Sequence, residues 1–130
     1  MSIEIDHVGI AVRSIDESLR FYQLLLGLDV TGRENVAEER VTVAMLSTTP
    51  RIELLESAAD GSTIAKFIAK RGPGLHHIAL RVDNISSALD RLKAAGAKLL
   101  NEPRRGAGGH TYVFVHPAAT GGVLLELIQK

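Results

Sequence analysis

The sequence predicts an α+β fold of two tandem βαβββ modules, whose strands form one curved mixed sheet with the helices on its outer face. A segment at residues 6–12 reappears seventy positions later, at residues 76–82. In each copy a helical periodicity follows, and then strand-like alternation. Each copy ends in an apolar run that is split by one glutamate, at residues 52–55 and 125–128. A repeated order of this kind predicts a duplicated module.

The first module begins with a strand in which apolar and other side chains alternate. Val8, Ile10 and Val12 share one face of this strand, and His7 lies on the other. Ser14 with Glu17 has the spacing of a capping box, so a helix is expected there. Its apolar stripe is Ile15, Leu19, Tyr22 and Leu26, and Gly27 ends it. The other elements expected are strands at 41–46 and 51–56, and an inserted helix at 60–71.

The second module repeats this order. A strand at 75–82 carries Leu80 on its outer face, and a helix follows until Gly96. Its apolar stripe is Ile85, Leu89, Leu92 and Ala95. Further strands are expected at 97–100, 112–116 and 122–129, and residues 104–110 are expected to form a glycine-rich loop. The helices should cover the face of Val8 and Leu80, which leaves the opposite face as a concave pocket.

Composition narrows the classes of partner. Fifteen basic residues balance fifteen acidic ones, and only 4% of residues are aromatic, so no nucleic-acid partner is expected. No apolar run is long enough to cross a bilayer, and no signal-peptide pattern opens the chain. The sequence has no cysteine, which excludes disulfides and sulfur-ligated zinc. We expect a cytoplasmic protein with a small-molecule partner.

The length of 130 residues suits one compact core. The expectation is therefore a single domain over 1–130, with module 1 at about 1–72 and module 2 at about 73–130.

Two histidines and two glutamates occupy equivalent positions in the modules. His7 matches His77 on the inner face, and Glu53 matches Glu126 on the later strands. A single strand histidine is more often structural than a ligand, and Arg81 could neutralise one of the glutamates. However, an ionised carboxylate among apolar neighbours costs several kcal/mol unless it is paired or metal-bound. Taken together, the four residues predict one site for a divalent first-row ion, which the sheet encloses.

The remaining histidines are not expected to be metal ligands. Strand alternation turns His76 away from His77, so it should not be a ligand. His116 precedes Pro117 in a turn and is expected to be solvated. The glycine-rich loop supplies the candidate substrate contacts, which are Arg105, Gly108, Gly109 and His110. The possible phosphate contacts are Arg104, Arg105, Lys66 and Lys70, although a solvated basic face explains these residues at least as well.

Five segments carry a resemblance to a known family. They are residues 5–12, 62–67, 74–79, 106–109 and 116–127. On these the chain resembles the vicinal oxygen chelate superfamily (glyoxalase, bleomycin resistance protein and dioxygenase), and within it the methylmalonyl-CoA epimerases. The resemblance implies metal ligands at His7, Glu53, His77 and Glu126. It also implies one divalent ion per chain, with cobalt expected and zinc, nickel or manganese as alternatives, and a homodimer.

The same resemblance implies an activity. An epimerase of this family interconverts (2R)- and (2S)-methylmalonyl-CoA by removing and returning a proton through an enolate stabilised by the metal. The family's catalytic glutamate lies in a Glu-x-Gly-Val segment, where this chain has Glu38-Glu39-Arg40-Val41. Counting back from Val41 selects Glu38, with Glu39 as the alternative, and Glu126 is expected to be the second acid–base group.

Other functions remain open from the sequence. A glyoxalase I-like lactoylglutathione lyase would use a similar site of two histidines and two glutamates. Related dioxygenases use two histidines and one carboxylate, so Glu53 argues against them. A metal-free, drug-binding resistance protein would share the fold without the ion.

Overall fold

The computed structural model describes residues 2–130 and confirms the order βαβββ in both halves of the chain. The strands are β1 (Glu4–Ala11), β2 (Val30–Val36), β3 (Val41–Leu46), β4 (Arg51–Ser57), β5 (Gly74–Arg81), β6 (Arg104–Arg105), β7 (Thr111–Val115) and β8 (Leu125–Gln129). The helices are α1 (Ile15–Leu19), which continues as a π-helical segment (Arg20–Leu25), α2 (Thr63–Arg71) and α3 (Ile85–Ala94).

The chain divides into two compact units. The first unit is His7–His76, and the second unit contains the residues up to Asp6 together with His77–Lys130. The division therefore falls within β1 and within β5, immediately before His7 and immediately before His77. Whether these parts form the single domain expected from the sequence stays a prediction.

Strand pairing in the first unit places β1 beside the last strand of its module. β1 runs parallel to β4, with Gly9 opposite Glu53, and β3 pairs antiparallel with both β4 and β2. The buried core lies between these strands and α1, and consists of Val12, Ile15, Ala44, Leu46 and Leu54. Ile10 packs against this core, as the predicted alternation of β1 requires.

The first helix begins as predicted but ends differently. The Ser14 hydroxyl accepts a hydrogen bond from the Glu17 amide at 3.2 Å, which confirms the N-cap. After Leu19 the helix widens, and the Leu26 amide donates to the Phe21 carbonyl five residues earlier. The wider turn rotates Leu26 out of the apolar stripe, so it is exposed and its predicted packing was wrong. Leu28 packs against the core instead.

The inserted helix starts three residues later than predicted. The Ser62 hydroxyl accepts from the Ala65 amide and caps α2, while Gly61 before it has a φ of +74°. Residues 60–62 therefore form the turn that enters the helix. Within residues 2–130, no helix combines the length and apolar character that crossing a membrane requires.

The second unit repeats the parallel pairing of first and last strands. β5 runs parallel to β8, and β7 pairs antiparallel with β8 and with the short β6. Leu80 and Val82 pack with α3 on one face of these strands, while Ala79 and Ile128 lie in a separate cluster with Tyr112. The predicted alternation of β5 is confirmed.

Other segments of the chain also differ from the prediction. Residues 97–100 form no strand but one bridge, between Leu99 and Val115. The expected loop at 104–110 contains β6 and a 3₁₀ turn at Ala107–Gly109. β2 was not predicted, because residues 31–35 are polar or small and all exposed, so they show no apolar alternation.

Side chains from the last strand of each module close the first turn of its helix. The Ile15 amide of α1 donates to Glu56 Oε1 at 2.6 Å, and the Ile85 amide of α3 donates to Gln129 Oε1 at 2.7 Å. The first amides of a helix have no partner within the helix, so these contacts satisfy donors that would otherwise lack one. Each cap therefore ties a helix to the strand that carries Glu53 or Glu126.

We expect Glu56→Ala to lower the free energy of unfolding by about 1–3 kcal/mol, because it removes a hydrogen bond to a charged acceptor. Gln129→Ala should cost about 1 kcal/mol, since its amide acceptor is neutral. Urea denaturation measures both. Asp90→Ala, on the exposed side of α3, is the control and should change the free energy by less than about 0.5 kcal/mol. A Glu56→Ala protein as stable as this control would contradict the assignment.

Candidate functional site

The second unit holds one buried histidine–glutamate pair. His77 Nε2 lies 3.1 Å from Glu126 Oε1, and the two side chains are 3% and 10% exposed. The parallel register of β5 and β8 produces this contact, because it sets Ala79, with its small side chain, opposite Glu126. The Phe114 ring meets the His77 ring edge to face, with centroids 5.5 Å apart. The imidazole is therefore held between a carboxylate and an aromatic wall.

The first unit holds the equivalent pair. His7 Nε2 lies 3.6 Å from Glu53 Oε1, and both side chains are buried. Here the small residue opposite the glutamate is Gly9. The predicted correspondence of the two modules thus extends to the contacts within each of them.

The chemistry of these residues fits a divalent metal ion. Imidazole nitrogen and carboxylate oxygen are common ligands of first-row ions. Each unit by itself offers buried donors of this kind, which are His7 with Glu53 in the first and His77 with Glu126 in the second.

The alternative partner considered for the glutamates lies elsewhere. Arg81 Nη2 contacts Glu4 Oε2 at 2.5 Å, and this hydrogen bond and charge raise the pKa of Arg81 above its ordinary value. Arg81 therefore neutralises Glu4, and the suggestion that it pairs with Glu53 or Glu126 was wrong.

His76 packs against α2. Its ring meets Phe67 of α2 edge to face at 4.9 Å, and Arg71 lies over the same Phe67 ring. His116 is not simply solvated, since it is half-buried and its Nδ1 accepts from the Ala118 amide at 3.0 Å.

The candidate substrate contacts lie at the end of β6 and in the turn that follows it. Arg105 Nη1 donates to the Gly109 carbonyl at 3.2 Å. A Cβ on Gly108 would come within 3.0 Å of the His110 ring, and its φ of +72° also favours glycine. The turn is therefore built around small residues, and its contact with a substrate stays a prediction.

Glu38 and Glu39 lie on a 3₁₀ turn (Ala37–Glu39) between β2 and β3. Glu38 is exposed, and Glu39 is half-buried. Arg40 ends the turn in the left-handed conformation, with φ 52° and ψ 47°. Glycine adopts this conformation most readily, so the backbone here matches the family motif even though the side chain departs from it.

Two features around these pairs were not predicted. Asp6, next to His7, is buried and contacts Lys130 Nζ at 2.9 Å. Phe114 lies opposite Glu126 in the β7–β8 register. The alternation of Tyr112 and Phe114 along β7 could have indicated the aromatic ring beside His77. No pattern in the sequence indicated the contact between Asp6 and Lys130.

A family profile described as the Glyoxalase/Bleomycin resistance protein/Dioxygenase superfamily matches residues 6–114. The chain belongs to this superfamily. An ethylmalonyl-CoA/methylmalonyl-CoA epimerase of Cereibacter sphaeroides is 39% identical over 96% of this chain and 96% of its own length.

Solved structures agree with this assignment. A methylmalonyl-CoA epimerase from Mycobacterium tuberculosis has a TM-score of 0.90 and 36% identity, over 96% of this chain and 86% of its own. A methylmalonyl-CoA epimerase in complex with methylmalonyl-CoA and NH4+ has a TM-score of 0.92 and 34% identity, over 100% and 96%. The resemblance to this epimerase family is confirmed.

The adjacent histidines offer a direct test of the ligand assignment. His77→Gln should reduce bound metal after dialysis to below about a tenth of the wild-type content, because a ligand is lost. His76→Gln should retain the metal, since the ring that it removes packs against Phe67. Elemental analysis of both proteins gives the answer, and loss of metal from His76→Gln alone would reverse the assignment.

Proposed function

We propose that this chain is a methylmalonyl-CoA epimerase, which interconverts the (2R) and (2S) forms of its substrate. The observation that carries the proposal is the buried histidine–glutamate pair, present at equivalent positions in both modules. Relatives named as epimerases match nearly the full chain, and one related structure contains methylmalonyl-CoA. These likenesses favour the epimerase over a lactoylglutathione lyase or a drug-binding protein.

The proposed metal ligands are His7, Glu53, His77 and Glu126, which together would hold one divalent ion. Their burial and their donor atoms support this set. Two carboxylates would balance the charge of the ion, and cobalt is expected, with zinc, nickel or manganese as alternatives. Bound there, such an ion would supply Lewis acidity toward the substrate and would help to orient it.

Inversion at the reacting carbon needs an acid–base group on each face. The carbon lies between a thioester and a carboxylate, so the electrons of its C–H bond can pass into the thioester as an enolate. One carboxylate takes the proton, and a carboxylic acid on the other face supplies a proton to complete the inversion. We assign these roles to Glu38 and Glu126.

Glu38 and Glu126 have different surroundings, which suits acid–base groups that act on opposite faces of the carbon. Glu126 is buried beside an imidazole, whereas Glu38 is exposed on a turn that a substrate can approach. The left-handed Arg40 supports Glu38 over Glu39, because it aligns the turn with the glycine of the family motif. A homodimer and a cytoplasmic location stay predictions.

Glu38→Gln should abolish epimerisation, since the amide cannot take up a proton, while the metal content stays at the wild-type level. Conversion of one pure epimer to the other, followed by chiral analysis, measures the activity. Glu39→Gln is the matched neighbour and should keep activity within a few-fold of wild type. The opposite result would assign the base to Glu39, and normal turnover in both variants would exclude this turn from the chemistry.

Metal dependence can be tested by hydrogen exchange. The protein should bind one equivalent of divalent ion per chain and should wash deuterium out of the reacting carbon of methylmalonyl-CoA. A chelator should stop washout, and cobalt should restore it. Two equivalents per chain would show that each histidine–glutamate pair binds separately. Lactoyl thioester formed from a glutathione hemithioacetal would instead support the lyase.

A further inference from the structure

Arg40 has an unusual backbone for its residue type. Within residues 2–130 it is the only residue other than glycine with a positive φ. Side chains with a Cβ disfavour the left-handed region, and glycine would adopt it without strain. An arginine at this position therefore needs a compensating contribution from its side chain or its surroundings.

The side chain of Arg40 supplies such contacts. Its Nη1 lies 3.4 Å from the carbonyl oxygen of Asp60, and its Nη2 donates to the carbonyl of Gly61 at 3.2 Å. The backbone adds two more bonds, because the Arg40 amide donates to Ala37 at 3.1 Å and its carbonyl accepts from Ala58 at 2.9 Å. One residue thus joins the Glu38 turn to the loop between β4 and α2.

That loop is itself firmly held. The hydroxyl oxygens of Ser57 and Ser62 lie 2.6 Å apart, and the Ser57 hydroxyl also donates to the Ala59 carbonyl. Ser62 is fully buried and caps α2 through the Ala65 amide. The contacts of Arg40 therefore end on a bonded loop that continues directly from β4, the strand that carries Glu53.

We propose that Arg40 is a positioning residue, which holds the turn of Glu38 at a fixed distance from the proton that this carboxylate removes. The inference rests on the proposed function, since it takes Glu38 as one of the two acid–base groups. A glycine at position 40 would keep the turn geometry but lose both guanidinium contacts. Substitution at position 40 can therefore separate the backbone conformation of the turn from the effect of the guanidinium contacts on Glu38.

The test measures hydrogen loss from each epimer separately. Pure (2R)- and (2S)-methylmalonyl-CoA, deuterated at the reacting carbon, are incubated in water with wild type, Glu38→Gln, Arg40→Gly and Arg40→Asn. Asparagine tolerates the left-handed region and lacks the guanidinium. It therefore controls for any effect that comes from the flexibility of glycine and not from the loss of the guanidinium. Arg13→Gly removes an exposed guanidinium elsewhere in the first unit and is the control.

In Arg40→Gly and Arg40→Asn, the epimer that faces Glu38 should lose deuterium about ten- to a hundredfold more slowly, as expected for a misplaced base. The other epimer should lose it at nearly the wild-type rate and without inversion. The KM, the metal content and the thermal midpoint should stay close to those of wild type and Arg13→Gly.

Equal slowing for both epimers would show a general structural effect and overturn the positioning role. Unchanged rates in both Arg40 variants, with one-sided loss in Glu38→Gln, would overturn the role of Arg40 alone. If Glu38→Gln slows neither epimer, the role of Arg40 falls together with that of the base. No deuterium loss in wild type would instead refute the proposed function.

Discussion

The burial of Glu53 and Glu126 is the constraint on which the rest of the structure depends. A carboxylate in an apolar core is stable only with a partner, because desolvation disfavours its charge by several kcal/mol. Each module meets this requirement with an imidazole from its first strand. The parallel pairing of β1 with β4 and of β5 with β8 brings each imidazole beside its glutamate. The pairing of the strands and the chemistry of the buried pair are therefore linked in each module.

The same strands also anchor the helices. Glu56 and Gln129 lie three residues after the buried glutamates, and strand alternation turns them to the opposite face. There they bind the first amides of α1 and α3. Each last strand therefore fixes a helix on one face and a candidate ligand on the other, which limits how far that ligand can move. Such rigid support suits a site that has to hold donor atoms at defined positions.

The success of the sequence analysis depended on periodicity and repetition. The equivalence of His7 and His77, and the face of Glu126, followed from strand alternation and were predictable. β2 was not, because the exposed residues 31–35 form a strand through hydrogen bonds to β3 and have no apolar pattern. Leu26 was misplaced since its amide bonds to a carbonyl five residues earlier, which alters the helical spacing. The Asp6–Lys130 contact joins residues far apart in sequence, so no local pattern reveals it.

Duplication explains the symmetry of the two pairs, and the turns show where the modules diverged. Ala37–Glu39 and Ala107–Gly109 are 3₁₀ turns at equivalent positions, each between the second and third strands of its module. In the first module the turn carries two carboxylates and ends at the left-handed Arg40. In the second it consists of small residues, with left-handed glycines at 108 and 109. Inversion of a carbon centre requires an acid–base group on each of its two faces, because a single group returns the proton to the side it left. A duplicated fold provides matched histidine–glutamate pairs, and its unlike turns are what would give one module an additional acid–base group and the other a close backbone approach.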